Sequence, residues 1–253
     1  MSTNQKNIPG PAIGAITSMV ERRDKALSLV FEAIDKIDEA MNIAPDFAFE
    51  SSLRSFRWYN NHGFEKDKEK VRKNLDVKCW NVLLETTKLG AAMNSEQLEG
   101  IRKQIVNESP ALTSELAQST FMELFIKRKD TFREGLVDVF EALQGRFRSH
   151  SPFKVDKRII LAECLSDSGW AAFSHHRDRF DDLWKYASLI DGVDPTDVKY
   201  SDRPSSILVR KRQAGIDDIV FAQFRVKAFN NGNIHIYLRE DLIEKINATI
   251  AEH

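Results

Sequence analysis

Over residues 224–238, "FRVKAFNNGNIHIYL", apolar and polar residues alternate on both sides of Asn-Asn-Gly-Asn, the pattern of a β-hairpin. A two-residue turn on Asn231-Gly232 would pair Lys227 with Ile236 and Arg225 with Leu238, mixing the faces. A three-residue loop, Asn230-Asn231-Gly232 with Gly232 in the left-handed position, avoids this. Phe224, Val226 and Ala228 then share a face with Ile234, Ile236 and Leu238. A one-residue slip would exchange the faces, so the pattern selects the register. The opposite face carries Arg225, Lys227, His235 and Tyr237.

Upstream the period lengthens to that of helices. Val20, Leu27, Ile34 and Met41 recur every seven residues, as do Ile16, Val30 and Ile37, predicting a helix over 15–42 with Arg23 as the break. Such a seam belongs to a helical hairpin or to a homodimer formed through the N-terminal helices. The stretch 44–64 is aromatic-rich with a turn at Asn60–Gly63. A solvated charged helix over 65–75 precedes a buried helical stretch ending near Gly90. A short helix from Glu96 to Val106 stops before Pro110. Residues 113–144, capped by Thr113 or Ser114, carry the stripe Phe121, Phe125, Phe132, Leu136, Phe140 and Leu143. This helix is long enough to lie antiparallel to the first, burying Val20, Leu27 and Ile34 against Phe125, Phe132 and Phe140.

After Gly145 the character changes. A strand is expected over 157–164, a helix over 175–192, further strands over 219–229 and 233–239, and a terminal helix from Glu240. Residues 205–213, "SSILVRKRQ", suit a strand or a helix. The strand near 157–164 is the natural third member of the hairpin's sheet, since a lone hairpin is marginal in water. The organisation read from this is an arm (1–12), a helical region (13–150) and an α+β region (151–253), the latter two separate or integrated. The fold class is α+β: long N-terminal helices packed as a hairpin, with a small antiparallel sheet and flanking helices in the C-terminal half.

Composition narrows the function classes. The 253 residues are 42% apolar and 30% charged, with a formal net charge of −1. A globally basic nucleic-acid binder is excluded, so such a role needs a local patch. No apolar run approaches the roughly 18 residues of a membrane span. The polar start, "MSTNQKNIPGP", lacks the core of a signal peptide, so the expected compartment is the cytoplasm, with Cys79 and Cys164 reduced. Charge is nonetheless uneven. Arg146, Arg148, Lys154, Lys157 and Arg158 face only Asp156 within 146–158. Arg203, Arg210, Lys211, Arg212, Arg225, Lys227 and Arg239 face Asp217 and Asp218 within 203–239. The intervening 159–202 is acidic. Basic segments interleaved with Phe147, Phe153 and Tyr237 suit phosphate contact with base or sugar packing. Equally, they suit a solvated surface partly paired with the acidic segment.

Catalytic motifs are wanting. The six histidines include no His-x-x-His pair, and adjacent His175 and His176 point about 100° apart on a helix. There is no Gly-x-Ser-x-Gly, phosphate loop or dinucleotide glycine pattern. "DDIVFAQFRVK" echoes a nuclease strand pair, but Arg225 stands where an acidic residue should precede Lys227 by two. The expectation is a non-enzyme without cofactor or metal.

At "TFREGLVDVFEALQGRFRSHSPFKVDKRIIL" (131–161) and "FRVKAFNNGNIHIYLREDLIEKIN" (224–247) the chain resembles a bacterial family of unknown function. Its members occur in phages, plasmids and integrated elements, some joined to an adenine-DNA-methyltransferase domain. "DVKCWNVLLETTKLG" resembles that family's Trp-containing helix. The chain lacks the Gly-rich cofactor loop and the Asp/Asn-Pro-Pro-Tyr/Phe tetrapeptide of such methyltransferases. The resemblance implies an accessory protein of a mobile element. Its partner would be nucleic acid, bound through Arg146, Arg148, Lys154, Lys157, Arg158, Arg225, Lys227, His235 and Tyr237. The alternative partner is a host defence or DNA-modification protein.

Overall fold

The structure, a computed structural model, describes residues 13–43, 64–144, 155, 157–166, 169–170 and 175–251. These divide into two compact units. One comprises 13–43, 64–87 and 100–125; the other comprises 88–99, 126–144 and the described residues from 155 onward.

In the first unit, α1 (Ile13–Ile43) and α2 (Phe64–Thr86) run antiparallel, joined by ion pairs from Arg23 to Asp76 and from Lys68 to Asp35. The predicted seam buries Ile16, Val20, Leu27 and Ile34, while Val30 remains 40% exposed. The partner of α1 in this hairpin is α2, whereas the pattern pointed to the helix 113–144. Arg23, the apparent flaw in the seam, supplies the reason. Its Nε donates to Asp76 Oδ1 at 2.7 Å, and Arg72 Nη1 donates to Asp76 Oδ2 at 3.0 Å. Asp76 is 0% exposed, so α2 brings the one buried carboxylate that the arginine needs. Burial alone would lower the Arg23 pKa, but hydrogen bonds to Asp24 and Asp76 more than offset it and raise it. Also in this unit are the last part of α3 (Ser95–Glu108) and the first part of α4 (Ser114–Gln144). Thr113 Oγ1 caps α4 by accepting from Leu116 N at 3.1 Å. Trp80 stacks on Phe121 at 5.9 Å and donates its indole N–H to the Pro110 carbonyl at 3.0 Å.

The second unit is built on a four-stranded antiparallel sheet, ordered β1 (Arg158–Leu161), β6 (Ile234–Leu238), β5 (Phe224–Ala228), β4 (Asp218–Val220). The short pair β2 (Leu165–Ser166) and β3 (Gly169–Trp170) lies apart from it in the hydrogen-bond ladder. One sheet face is apolar and packs with α5 (His176–Ile190), α7 (Glu240–Ala251), Leu208 of α6 (Pro204–Gln213) and the C-terminal half of α4. Phe132 and Phe140 belong to this core, and Phe125 is only half-buried, so the α4 stripe does not serve α1 as expected. Residues 205–213 resolve to helix, begun by Pro204 in the first turn, where its missing N–H leaves nothing unpaired. The strand expected over 219–229 is interrupted. Phe221 N donates to the Phe224 carbonyl at 2.8 Å, so Ala222 and Gln223 form a tight turn and β4 folds back on β5. The α5 helix begins at His176, which leaves His175 at its cap rather than on the helix. Among the described residues, no helix is long and apolar enough to cross a membrane.

Candidate nucleic-acid interface

The hairpin has the predicted register. Phe224 pairs with Leu238, Val226 with Ile236 and Ala228 with Ile234. Gly232 N donates to the Phe229 carbonyl at 3.0 Å and Phe229 N to the Asn233 carbonyl at 2.9 Å, which closes a three-residue loop. Gly232 sits at φ 82°, and a Cβ there would collide with the Leu165 carbonyl oxygen. The turn is held from outside by Leu165 N donating to the Gly232 carbonyl at 2.9 Å and Glu163 N to Asn233 Oδ1 at 2.8 Å.

Strand β1 joins the sheet through β6, pairing Arg158 with Tyr237 and Ile160 with His235. The outward face is therefore two rows of side chains. One reads Val220, Arg225, Tyr237, Arg158; the other reads Asp218, Lys227, His235, Ile160. Alternation of buried and exposed positions along β1, β4 and β5 confirms that these side chains point away from the core. Tyr237 and His235 sit centrally, with ring centroids 6.3 Å apart, and Phe229 lies 4.4 Å from His235.

The cations on this face are not equivalent. Arg225 is committed to Asp218, its Nε donating to Oδ1 at 2.7 Å. That hydrogen bond holds the Asp218 carboxyl below the usual carboxylate range. Lys157 pairs with Glu240 and lowers its pKa in the same way. Arg158 has no side-chain partner among the described residues, and Lys227 lies over the Phe229 ring, 5.6 Å from its ammonium, while acting on its cross-strand neighbour Asp218 by charge. These two cations bracket His235. Its pKa is lowered, by burial first and then by the charges of Arg158 and Lys227. The histidine thus reports an electropositive face.

The structure brings together five of the nine sequence-selected residues, Arg158, Arg225, Lys227, His235 and Tyr237, and places Lys157 at the sheet's end beside Glu240. Arg146, Arg148 and Lys154 lie outside the described residues. Ile160, 44% exposed, and Val220, 76% exposed, were missed as members of this face. The alternation in "KRIIL" already places Ile160 with Arg158. Cys79 and Cys164 are buried free thiols, and burial pushes the Cys164 thiol up to about 11.

A family profile described as "Domain of unknown function (DUF4942)" matches residues 72–253, which covers the second unit and much of the first. No curated protein and no solved structure matches the chain.

Proposed function

The chain belongs to the DUF4942 family, whose function is unknown, and we propose that it is a non-enzymatic accessory protein that binds single-stranded nucleic acid on its exposed sheet face. One observation carries this reading: an open four-stranded surface sets two cations that form no ion pair among the described residues, Arg158 and Lys227, around the rings of His235 and Tyr237. Cations beside an aromatic platform fit a backbone whose bases are splayed onto the rings (~1–3 kcal/mol per stacked base). The net charge of −1 argues against a broad electrostatic footprint, so binding is short-range and of low sequence preference. A mobile genetic element as the setting is part of the same proposal and rests on the resemblance read from the sequence.

The test is a salt-dependent binding measurement with short DNA and RNA strands. Arg158→Glu with Lys227→Gln should abolish binding at low salt while changing stability by no more than about 0.5 kcal/mol, because both side chains are exposed and neither is in an ion pair among the described residues. Reversing Arg225 or Lys227 is a poorer choice, since either change would set a carboxylate beside Asp218. A parent protein that binds neither strand at low salt overturns the reading. Exposed Ile160 and Val220 on the same face would then favour a protein partner, such as a component of a host defence or modification complex.

A further inference from the structure

At the β5–β6 turn end of the sheet lies a concavity of about 280 Å³. It is lined by Leu165 and Ser166 of β2, Gly169 of β3, Val209, Arg212 and Gln213 of α6, and Gly215, Asp217 and Asn230. Its volume falls just short of the usual range for a drug-sized ligand (~300–1,000 Å³), a scale that suits one base or nucleoside.

Two charges make it unlike a surface dimple. Arg212 has a buried guanidinium nitrogen, Nη1, with no acceptor among the described residues. Asp217 uses its backbone carbonyl to receive Ala228 N at 2.7 Å, yet its carboxylate has no partner among the described residues. Opposite charges therefore line one cavity without pairing with each other. A buried donor left unsatisfied costs stability, and an acceptor brought by a ligand would relieve that cost. The complementary ligand presents acceptors to the arginine and donors to the carboxylate. Gln213 and Asn230 add amides of either sense. The aliphatic side chains of Leu165 and Val209 supply apolar wall. Gly169 (φ 136°) and Gly215 (φ 75°) leave backbone bare where a side chain would narrow the opening.

We infer that this pocket takes a guanine base, free as a nucleotide or at one position of a bound strand. Guanine offers O6 and N7 as acceptors for an arginine fork, and N1–H with the N2 amino group as donors for a carboxylate. Adenine presents an amino donor where guanine has O6, so it meets Arg212 with the wrong sign. Asp217 directly precedes β4, and Asn230 follows Phe229 in the turn, which places the pocket beside the row Asp218–Lys227–His235–Ile160. For a base within a strand, the inference rests on the sheet-face reading, since the face would hold the strand's phosphates. For the free nucleotide it stands alone.

The experiment compares a short oligothymidine with the same strand carrying one central guanine, and separately titrates GMP, AMP, inorganic phosphate and glycine. The guanine strand should bind about tenfold more tightly, and GMP should outcompete AMP by a similar factor. Asp217→Asn should remove that preference while leaving oligothymidine binding unchanged. Arg212→Met should also remove it without lowering the unfolding temperature, whereas an arginine serving only structure would lower it. Equal binding of the two strands, equal binding of GMP and AMP, or a preference that survives Asp217→Asn would overturn the inference. So would glycine or phosphate binding as tightly as GMP. If neither strand binds, the sheet-face reading fails, and the GMP–AMP comparison alone decides the pocket.

Discussion

The α1–α2 pair and the four-stranded sheet use charge in opposite ways. In the helical pair a carboxylate with no exposed surface, Asp76, sits between Arg23 and Arg72, inside the seam. In the sheet, the inward positions of β5 and β6 are Phe224, Val226, Ala228, Ile234, Ile236 and Leu238, all buried and apolar, and charge is kept to the outer face. A buried ion pair adds little net stability over an apolar replacement, because desolvation offsets the attraction. What it provides is selectivity: Arg23 also bonds Asp24 of its own helix, but only a partner helix with a carboxylate at that level meets it inside the seam. The sheet needs no such device, since its register is set by alternation and by the turn. Its cations can then stay outside ion pairs, as Arg158 and Lys227 do among the described residues.

Breaking the seam should give the largest effect. Asp76→Ala leaves Arg23, whose side chain is 11% exposed, with Asp24 of its own helix but without its acceptor on α2, and takes the Asp76 ion pair from Arg72 as well. The expected loss is about 3–5 kcal/mol by urea unfolding. Replacing both partners, Asp76→Leu with Arg23→Met, should recover most of it while loosening the choice of partner helix. A single substitution costing under about 1 kcal/mol would mean the pair is solvated and selects nothing.

The sheet's counterpart is the turn. Gly232→Ala forces a side chain into φ 82° and against the Leu165 carbonyl, so it should cost about 2 kcal/mol or more. Because Leu165 N and Glu163 N both hold this turn, hydrogen exchange should rise at those amides as well as in the hairpin. Loss confined to residues 229–233 would show that the clamp is incidental.

Much of this contrast was legible in the sequence. Period-two alternation, with a glycine in the only place where a left-handed residue works, determined register and faces. The seven-residue repeat located the buried side of α1. Its partner was not legible, because the first half of α2, EKDKEKVRKNL, reads as a charged solvated helix while α4 presents an apolar stripe of suitable length, and a stripe names a face without naming its mate. Arg23 read as a flaw because its answer, Asp76, lies 53 positions away. The β4–β5 turn was invisible for a local reason: Ala222 and Gln223 carry no glycine, proline or asparagine signal, and Gln223 is buried. The neutralisation of Arg225 by Asp218 followed from that missed turn. Of the candidate site, the hairpin's four residues and Arg158 were legible from alternation and from the need for a third strand. The pocket was not, since β2, α6 and the turn meet only in the fold.

The smallest effect is the sharpest test of what the free cations do. His235 faces Arg158 from β1 and Lys227 from β5; Tyr237 Oη lies 3.4 Å from Nδ1, and Asp218 beyond Lys227 is drawn to Arg225. Its folded pKa lies below the ordinary value of about 6.5, so on acidification the unfolded chain takes up the proton first. Stability contributed by neutral His235 is thus full above about pH 6.5 and is lost as pH falls through the folded pKa. A phosphate on the face reverses the sign for binding. It screens Arg158 and Lys227 and favours the imidazolium, so the complex holds its proton to higher pH than the free protein does. Affinity for a short oligothymidine should therefore rise about threefold from about pH 7.5 to 5.5 as the unbound fold weakens slightly. His235→Gln should flatten the binding profile without abolishing binding. If the parent's affinity does not change over that range, no phosphate comes near His235, and the unpaired cations of the sheet are solvated as those of any surface are.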